Sequence, residues 1–456
     1  MTDKKTEHAR QYYQNNQTQL LDELLELLRI PSVSTDAAHE EDIINAVHFL
    51  KEKLDELEFD EVKIFSTPRH PILYAEKNIN HEGPTLLIYG HYDVQPPDPI
   101  DAWNNPPFEP SVENNKIFAR GASDMKGQIW ACVSALESTI KTGTLYVNVK
   151  LIIEGEEEIG SPSLESFLND HKSLLACDFV LNPDAGMLAP EKPTITYSLR
   201  GLAYFELRLF GPKADLHSGI FGGVIDNPAN VLSKVIAGMH DDQGRVTLPN
   251  FYNDVRIIPE DERLQLQKLG MDDAFYINLT GVSDLGGEKD FQPIERIGAR
   301  PTLDINGIYA GYIDKGAKTI IPAYAMAKIS TRLVPEQDPD QIHESLRTYL
   351  EQNVPNTVKW ELDYLSGAPG YIVQDQAPGI ELFIDALRKT WGVEPLLKPE
   401  GGSIPVATSM KNILGVDSII TGFGLPDDHI HSPNERLHLP THRKGVEVLI
   451  RFLSSF

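Results

Sequence analysis

Leucines at positions 20, 21, 24, 25, 27 and 28 recur at the spacing of one helix face, and Pro31 stops that helix. Residues 42–57 repeat the amphipathic pattern. Short apolar runs at 85–89, 147–153 and 179–181 are too brief for helices and predict buried strands. A largely apolar helix over 128–140 lies between the first two runs. Helices alternating with buried strands predict an α/β sheet.

The pattern changes near Gly201. Residues 202–210 alternate as a half-exposed strand until Gly211-Pro212 turns the chain, and 325–334 alternate in the same way. Helices are predicted over 228–238 and 340–352, which makes this stretch α+β. After it come a helix over 378–391, a short strand near Ile419 and a last helix over 441–453. The chain therefore reads as a first domain in two parts, 1–200 and 372–456, with 201–371 inserted between them.

Composition narrows the function. With 67 acidic and 41 basic residues the net charge is −26, which repels phosphate backbones and argues against nucleic acid or anionic membrane as partner. Two cysteines, Cys132 and Cys177, are too few for a disulfide framework or a thiolate metal site. The polar start Met1-Thr2-Asp3-Lys4-Lys5 lacks the apolar stretch of an export signal, so a cytoplasmic protein is expected.

Acidic residues and histidines gather where the predicted strands end, the place where open α/β sheets carry ligands. His91 and Asp93 follow the first buried strand, and Asp93 is placed to orient an imidazole ligand. Asp124 sits in the glycine-flanked turn Gly121-Ala122-Ser123-Asp124-Met125-Lys126-Gly127. Glu156-Glu157-Glu158 ends a very apolar strand, Asp184 follows the next, and His429 and His431 lie near the C-terminus. Singly these have plainer readings: a hydrogen-bonded pair for His91 and Asp93, a helix N-cap for Asp124, a solvated loop for the glutamates. Together they offer imidazole and carboxylate without thiolate, the donor set of a hydrolytic zinc, manganese or cobalt site.

These segments, with Gly90-His91-Tyr92-Asp93-Val94-Gln95-Pro96, Pro106-Pro107-Phe108-Glu109-Pro110, Glu157-Glu158-Ile159-Gly160-Ser161, Asp215-Leu216-His217-Ser218-Gly219, Lys318-Thr319-Ile320-Ile321-Pro322 and Gly401-Gly402-Ser403-Ile404-Pro405, closely resemble the metallopeptidase M20 family and its dipeptidase branch. The resemblance implies a zinc-exopeptidase-like α/β/α catalytic domain with a ferredoxin-like α+β lid and dimerisation domain. It implies two divalent metal ions, zinc first and manganese or cobalt as alternatives. Asp124 would bridge them, His91 and Asp184 would complete one site, and Glu158 and His431 the other. Glu157 would be the general base, chosen over its neighbours because Ile159-Gly160-Ser161 follows in the family's manner; Ser432-Pro433-Asn434-Glu435 selects His431 over His429 in the same way. A cis peptide after Asp124 is a further expectation. His217 would stabilise the oxyanion in the active site of a second subunit of a homodimer, while Arg332, Thr319 and the turn Gly401-Gly402-Ser403 would bind the substrate carboxylate.

The implied reaction is hydrolysis of the amide bond of dipeptides or short peptides. A deacylase for N-acyl amino acids, or a desuccinylase, uses the same chemistry and is the first alternative. A non-catalytic binding protein on the same scaffold is the second. A two-metal phosphoesterase would also suit the bare ligands.

Overall fold

The computed structural model describes residues 2–373, 379–402 and 404–456, so the expected helix start at Pro378 and the candidate Ser403 lie outside the described residues. The chain divides into two compact units. The first comprises Met1–Tyr197, Val373–Leu397 and Ser409–Phe456; the second comprises Ser198–Ile372 and Lys398–Thr408.

In the first unit, the apolar runs become adjacent strands of one sheet. Asn148–Glu154, Thr85–His91, Phe179–Asn182 and Ser418–Ile420 run side by side and parallel. Ile72–Lys77 pairs antiparallel with Asn148–Glu154, and Glu61–Phe65 extends the sheet beyond it. Helices Thr2–Leu28, Glu40–Glu56, Lys126–Lys141, Ile380–Trp391 and Leu439–Leu453 share the core with these strands. Its buried leucines, valines and phenylalanines each contribute about 1.5–3 kcal/mol.

The helix Lys126–Lys141 is buried along nearly its whole length, as its apolar composition requires. Its Trp130 indole N–H donates to the Leu20 carbonyl at 2.6 Å, tying it to the first helix. That first helix starts far earlier than the leucine run suggests. Its N-terminal turns are polar except for a narrow stripe including Ala9 and Tyr13, which is buried.

The second unit is built on a four-stranded antiparallel sheet in the order Thr302–Ala310, Tyr324–Leu333, Gly201–Phe210, Lys359–Ala368. Strict alternation puts Ala203, Phe205, Leu207 and Leu209 on one face. There they join Ala325, Ala327 and Ile329 and are covered by the helices Pro228–Ala237 and Pro339–Asn353 through Leu232, Val235, Leu346 and Leu350. This is the α+β pattern read from the sequence. No described helix is long and apolar enough to cross a membrane.

Candidate metal centre and active site

The three parallel strands Asn148–Glu154, Thr85–His91 and Phe179–Asn182 end on the same edge, so the loops that follow converge. His91 closes its strand with a fully buried ring. Its Nδ1 lies 3.1 Å from the Asp93 carbonyl and 3.4 Å from the Asp93 carboxylate. The Asp93 carboxylate also accepts the backbone N–H groups of Glu157 and Glu158, at 3.3 and 3.1 Å. One buried aspartate thus fixes both the imidazole and the acidic turn Glu157–Ile159. Gly155, at the head of that turn, is required by space, because a Cβ there would meet the Tyr92 hydroxyl at 2.5 Å.

The run of three glutamates divides by role. Glu156 is buried and points away from His91, its carboxylate accepting from Thr67 Oγ1, the His70 amide, the Ser163 amide and Ser163 Oγ at 2.8–3.0 Å. Four donors make it a structural group. Glu157 Oε2 comes within 4.0 Å of His91 Nε2. Glu158 Oε2 lies 3.3 Å from His431 Nε2 and accepts from Gln95 Nε2 at 2.8 Å.

Two groups of donors result, each with ligand atoms within 4.8 Å of one another: His91, Asp124 and Asp184, and Asp124, Glu158 and His431. Asp124 belongs to both. Its Oδ1 is 3.2 Å from His91 Nε2 and its Oδ2 is 2.9 Å from His431 Nε2, so its two oxygens face opposite ways. Asp184 Oδ1 is 3.9 Å from His91 Nε2. His429 is exposed and joins neither group. The Asp124–Met125 peptide is cis.

The donors fit two divalent cations. His91 Nε2 and Glu158 Oε1 are buried without a hydrogen-bond partner, an arrangement that costs roughly 1–3 kcal/mol per group unless a ligand satisfies them. Without cations the cluster retains protons. Burial opposes charge on His91, but the carboxylates of Asp124 and Asp93 outweigh it and raise its pKa well above the ordinary value. Contacts with Asp124 and Glu158 lift His431 to about 10. Burial, reinforced by Asp124 and Glu158, pushes Asp184 up to about 7, and burial raises Glu157 well above the carboxylate range.

Residues around the candidate ligands have no role that the sequence assigns. Glu435, Asp428, Gln95 and Arg120 all touch a ligand or its turn. The backbone of the C-terminal segment is also unusual. His429, His431 and Asn434 are three of the eight described non-glycine residues with positive φ, each costing about 1–3 kcal/mol that the surrounding contacts must offset.

The remaining candidates lie in the second unit. His217 is exposed, on the short strand Leu216–His217 that pairs with Ile320–Ile321, and its Nδ1 accepts from the Gly219 amide at 3.0 Å. The Thr319 carbonyl accepts from the Ser218 amide. Arg332 is half-buried opposite Thr302, and burial lowers its pKa. Gly401 and Gly402 differ from expectation. The Gly401 amide donates to the Glu400 carboxylate at 2.9 Å and the Gly402 amide also bonds to it, because Glu400 folds back over its own turn. The Gly401 carbonyl accepts from Arg200 Nε at 3.0 Å. These two amides are therefore engaged within the protein instead of being open to a substrate carboxylate.

The chain is 30% identical over 460 residues to the Cys-Gly metallodipeptidase of Candida albicans, covering 95% of this chain and 93% of that protein. It is 29% identical to the Beta-Ala-His dipeptidase of Mus musculus over 85% of this chain and 80% of that protein. The crystal structure of an M20-family metallo-carboxypeptidase from Sulfolobus solfataricus matches with a TM-score of 0.84 at 35% identity, covering 95% of this chain and 98% of that one. The pattern of Peptidase family M20/M25/M40 matches residues 87–455, and the chain belongs to that family.

Proposed function

We propose that the protein hydrolyses the amide bond of dipeptides or short peptides at a centre of two divalent metal ions, with Glu157 as general base. The observation that carries this reading is the sharing of Asp124 between two donor groups at the carboxyl ends of adjacent strands. Similarity to metallodipeptidases over nearly the whole chain supports the substrate class. His91 and Asp184 would hold one ion, Glu158 and His431 the other, and Asp124 both. Bound there, the ions would supply Lewis acidity and lower the pKa of an attacking water. Zinc suits the imidazole and carboxylate set, as do manganese and cobalt.

The chain's own residues supply the rest. Asp93 holds His91 in the orientation that aims Nε2 into the site, and pins the backbone of Glu157 and Glu158. The ligand Glu158 fixes the main chain, while Glu157 remains partly exposed and is able to take a proton from water and pass it to the leaving nitrogen. His217 would donate to the developing oxyanion in the active site of a partner subunit. Ile220 and Val224, 68% and 79% exposed just after His217, support a homodimer through this unit. Arg332 and Thr319 would bind the substrate carboxylate.

Removal of a C-terminal residue from longer peptides is a second reading, favoured by the 35% identity to the Sulfolobus metallo-carboxypeptidase. A panel of dipeptides, longer peptides and N-acyl amino acids separates these; turnover of the acylated compounds alone would replace both with a deacylase. The mechanism is tested by Glu157→Gln, which should bind metal as the parent does and lose about 10²–10⁴-fold in kcat. Full activity in that variant removes Glu157 from the reaction.

A further inference from the structure

Residues 428–435 do more than deliver His431. Asp428 accepts from Ser123 Oγ at 3.0 Å and from the Leu425 amide at 2.7 Å. Asn434 holds the loop before Asn105, donating to the Ala102 carbonyl at 2.9 Å and accepting from the Asn104 amide at 2.8 Å. Glu435 is completely buried. Its Oε1 accepts the amides of Ser123 and Asp124 at 2.9 and 3.1 Å, and its Oε2 accepts the Gly121 amide at 3.0 Å and Arg120 Nη1 at 2.8 Å. Arg120, itself buried, also donates to the Pro96 carbonyl at 3.1 Å and lies over the Trp103 ring at 5.4 Å.

Three amides of one turn converging on a single carboxylate form an anion nest, and here the anion is a side chain from a segment more than three hundred residues away. The geometry points to Glu435 as a positioning residue that sets the Asp124 carboxylate for both metal ions by locking its turn against the segment carrying His431. The first reason is orientation. The Asp124 side chain must present one oxygen to His91 and the other to His431, at 3.2 and 2.9 Å, and its backbone N–H is held by Glu435. The second is that a buried ion pair is a poor way merely to fill space, since well-packed apolar residues serve stability as well or better. The third is that His431 and Asn434, which both lie just before Glu435 in the chain, sit at positive φ and need such an anchor to stay there.

The inference rests on Asp124 and His431 being metal ligands. Its test is the zinc content of purified Glu435→Gln after dialysis against a competing chelator, read beside its circular dichroism spectrum and its turnover in rising zinc. Gln keeps the shape but turns one acceptor into a donor facing the amides. We expect a parent-like spectrum, zinc affinity weakened about 10–100-fold, and turnover partly restored by excess zinc. Arg120→Lys, which leaves the three amide contacts in place, should weaken zinc retention by a smaller factor and decides the matter if Glu435→Gln cannot be recovered folded. Parent-like zinc affinity in whichever of these variants folds overturns the proposal, as does failure of both to fold, which would make the pair a folding element. Asp124→Asn serves as the control. If it too keeps both ions, the metal-centre reading falls and takes this inference with it; if it sheds metal while Glu435→Gln does not, the positioning role alone is lost.

Discussion

In the first unit, His91 is fully buried and Glu158 is only 3% exposed, and each is held by neighbours that fix its direction. In the second unit, His217 is exposed and Arg332 half-buried. The difference matches the proposed roles: the candidate ligands His91 and Glu158 are held in place by the protein itself, whereas the groups proposed to meet a substrate or a partner chain stay open, as does the candidate ligand His431 at 52% exposed.

The largest effect that could break this contrast is in His217. Its replacement by Ala should leave thermal stability within a degree or two, because the side chain is exposed, yet lower kcat by about 10²–10³-fold. Mixing His217→Ala with Glu157→Gln subunits should regain activity if the imidazole works across the dimer; a mixture as inactive as its parts assigns it to its own chain. A smaller effect is expected at Arg332. Arg332→Lys keeps the charge but loses the planar fork, so KM should rise about tenfold with little change in kcat. An unchanged KM would remove Arg332 from substrate binding.

The smallest expected effect is on stability and sharpens the picture of the first unit. Asp184, pushed up to about 7, and Glu154, raised by burial to about 8, bind protons in the folded metal-free chain that they would lose on unfolding above their ordinary range. Their contribution is therefore full below about pH 4 and lost as pH rises through 7 to 8. Chelation should lower Tm by more at pH 8 than at pH 6, read by calorimetry. An equal drop at both values would mean that the cluster holds no such protons.

Much of this was legible in the chain itself. Alternation at 202–210 reappears as Gly201–Phe210, and the apolar runs at 147–153 and 179–181 reappear as parallel strands. His91, Asp124, Glu158, Asp184 and His431 come together in two donor groups; residue type and position singled out their segments, and the family resemblance selected these five within them. Glu435 and Asp428 stand in a segment the sequence marks, but their roles are not readable there because they depend on contacts between distant segments, and an acidic residue in a C-terminal loop carries no local signal of burial. Glu156 was ambiguous for the same reason: only its four donors distinguish it from Glu157. The assignment of Lys398–Thr408 to the second unit likewise has no mark in composition.

Asp124 stands in both donor groups, so two ions bound there, as proposed, would share one carboxylate. An ion in one group would draw on the negative charge of a carboxylate that an ion in the other would also need. Calorimetric titration should therefore depart from independent binding, with the two occupancies coupled through one side chain.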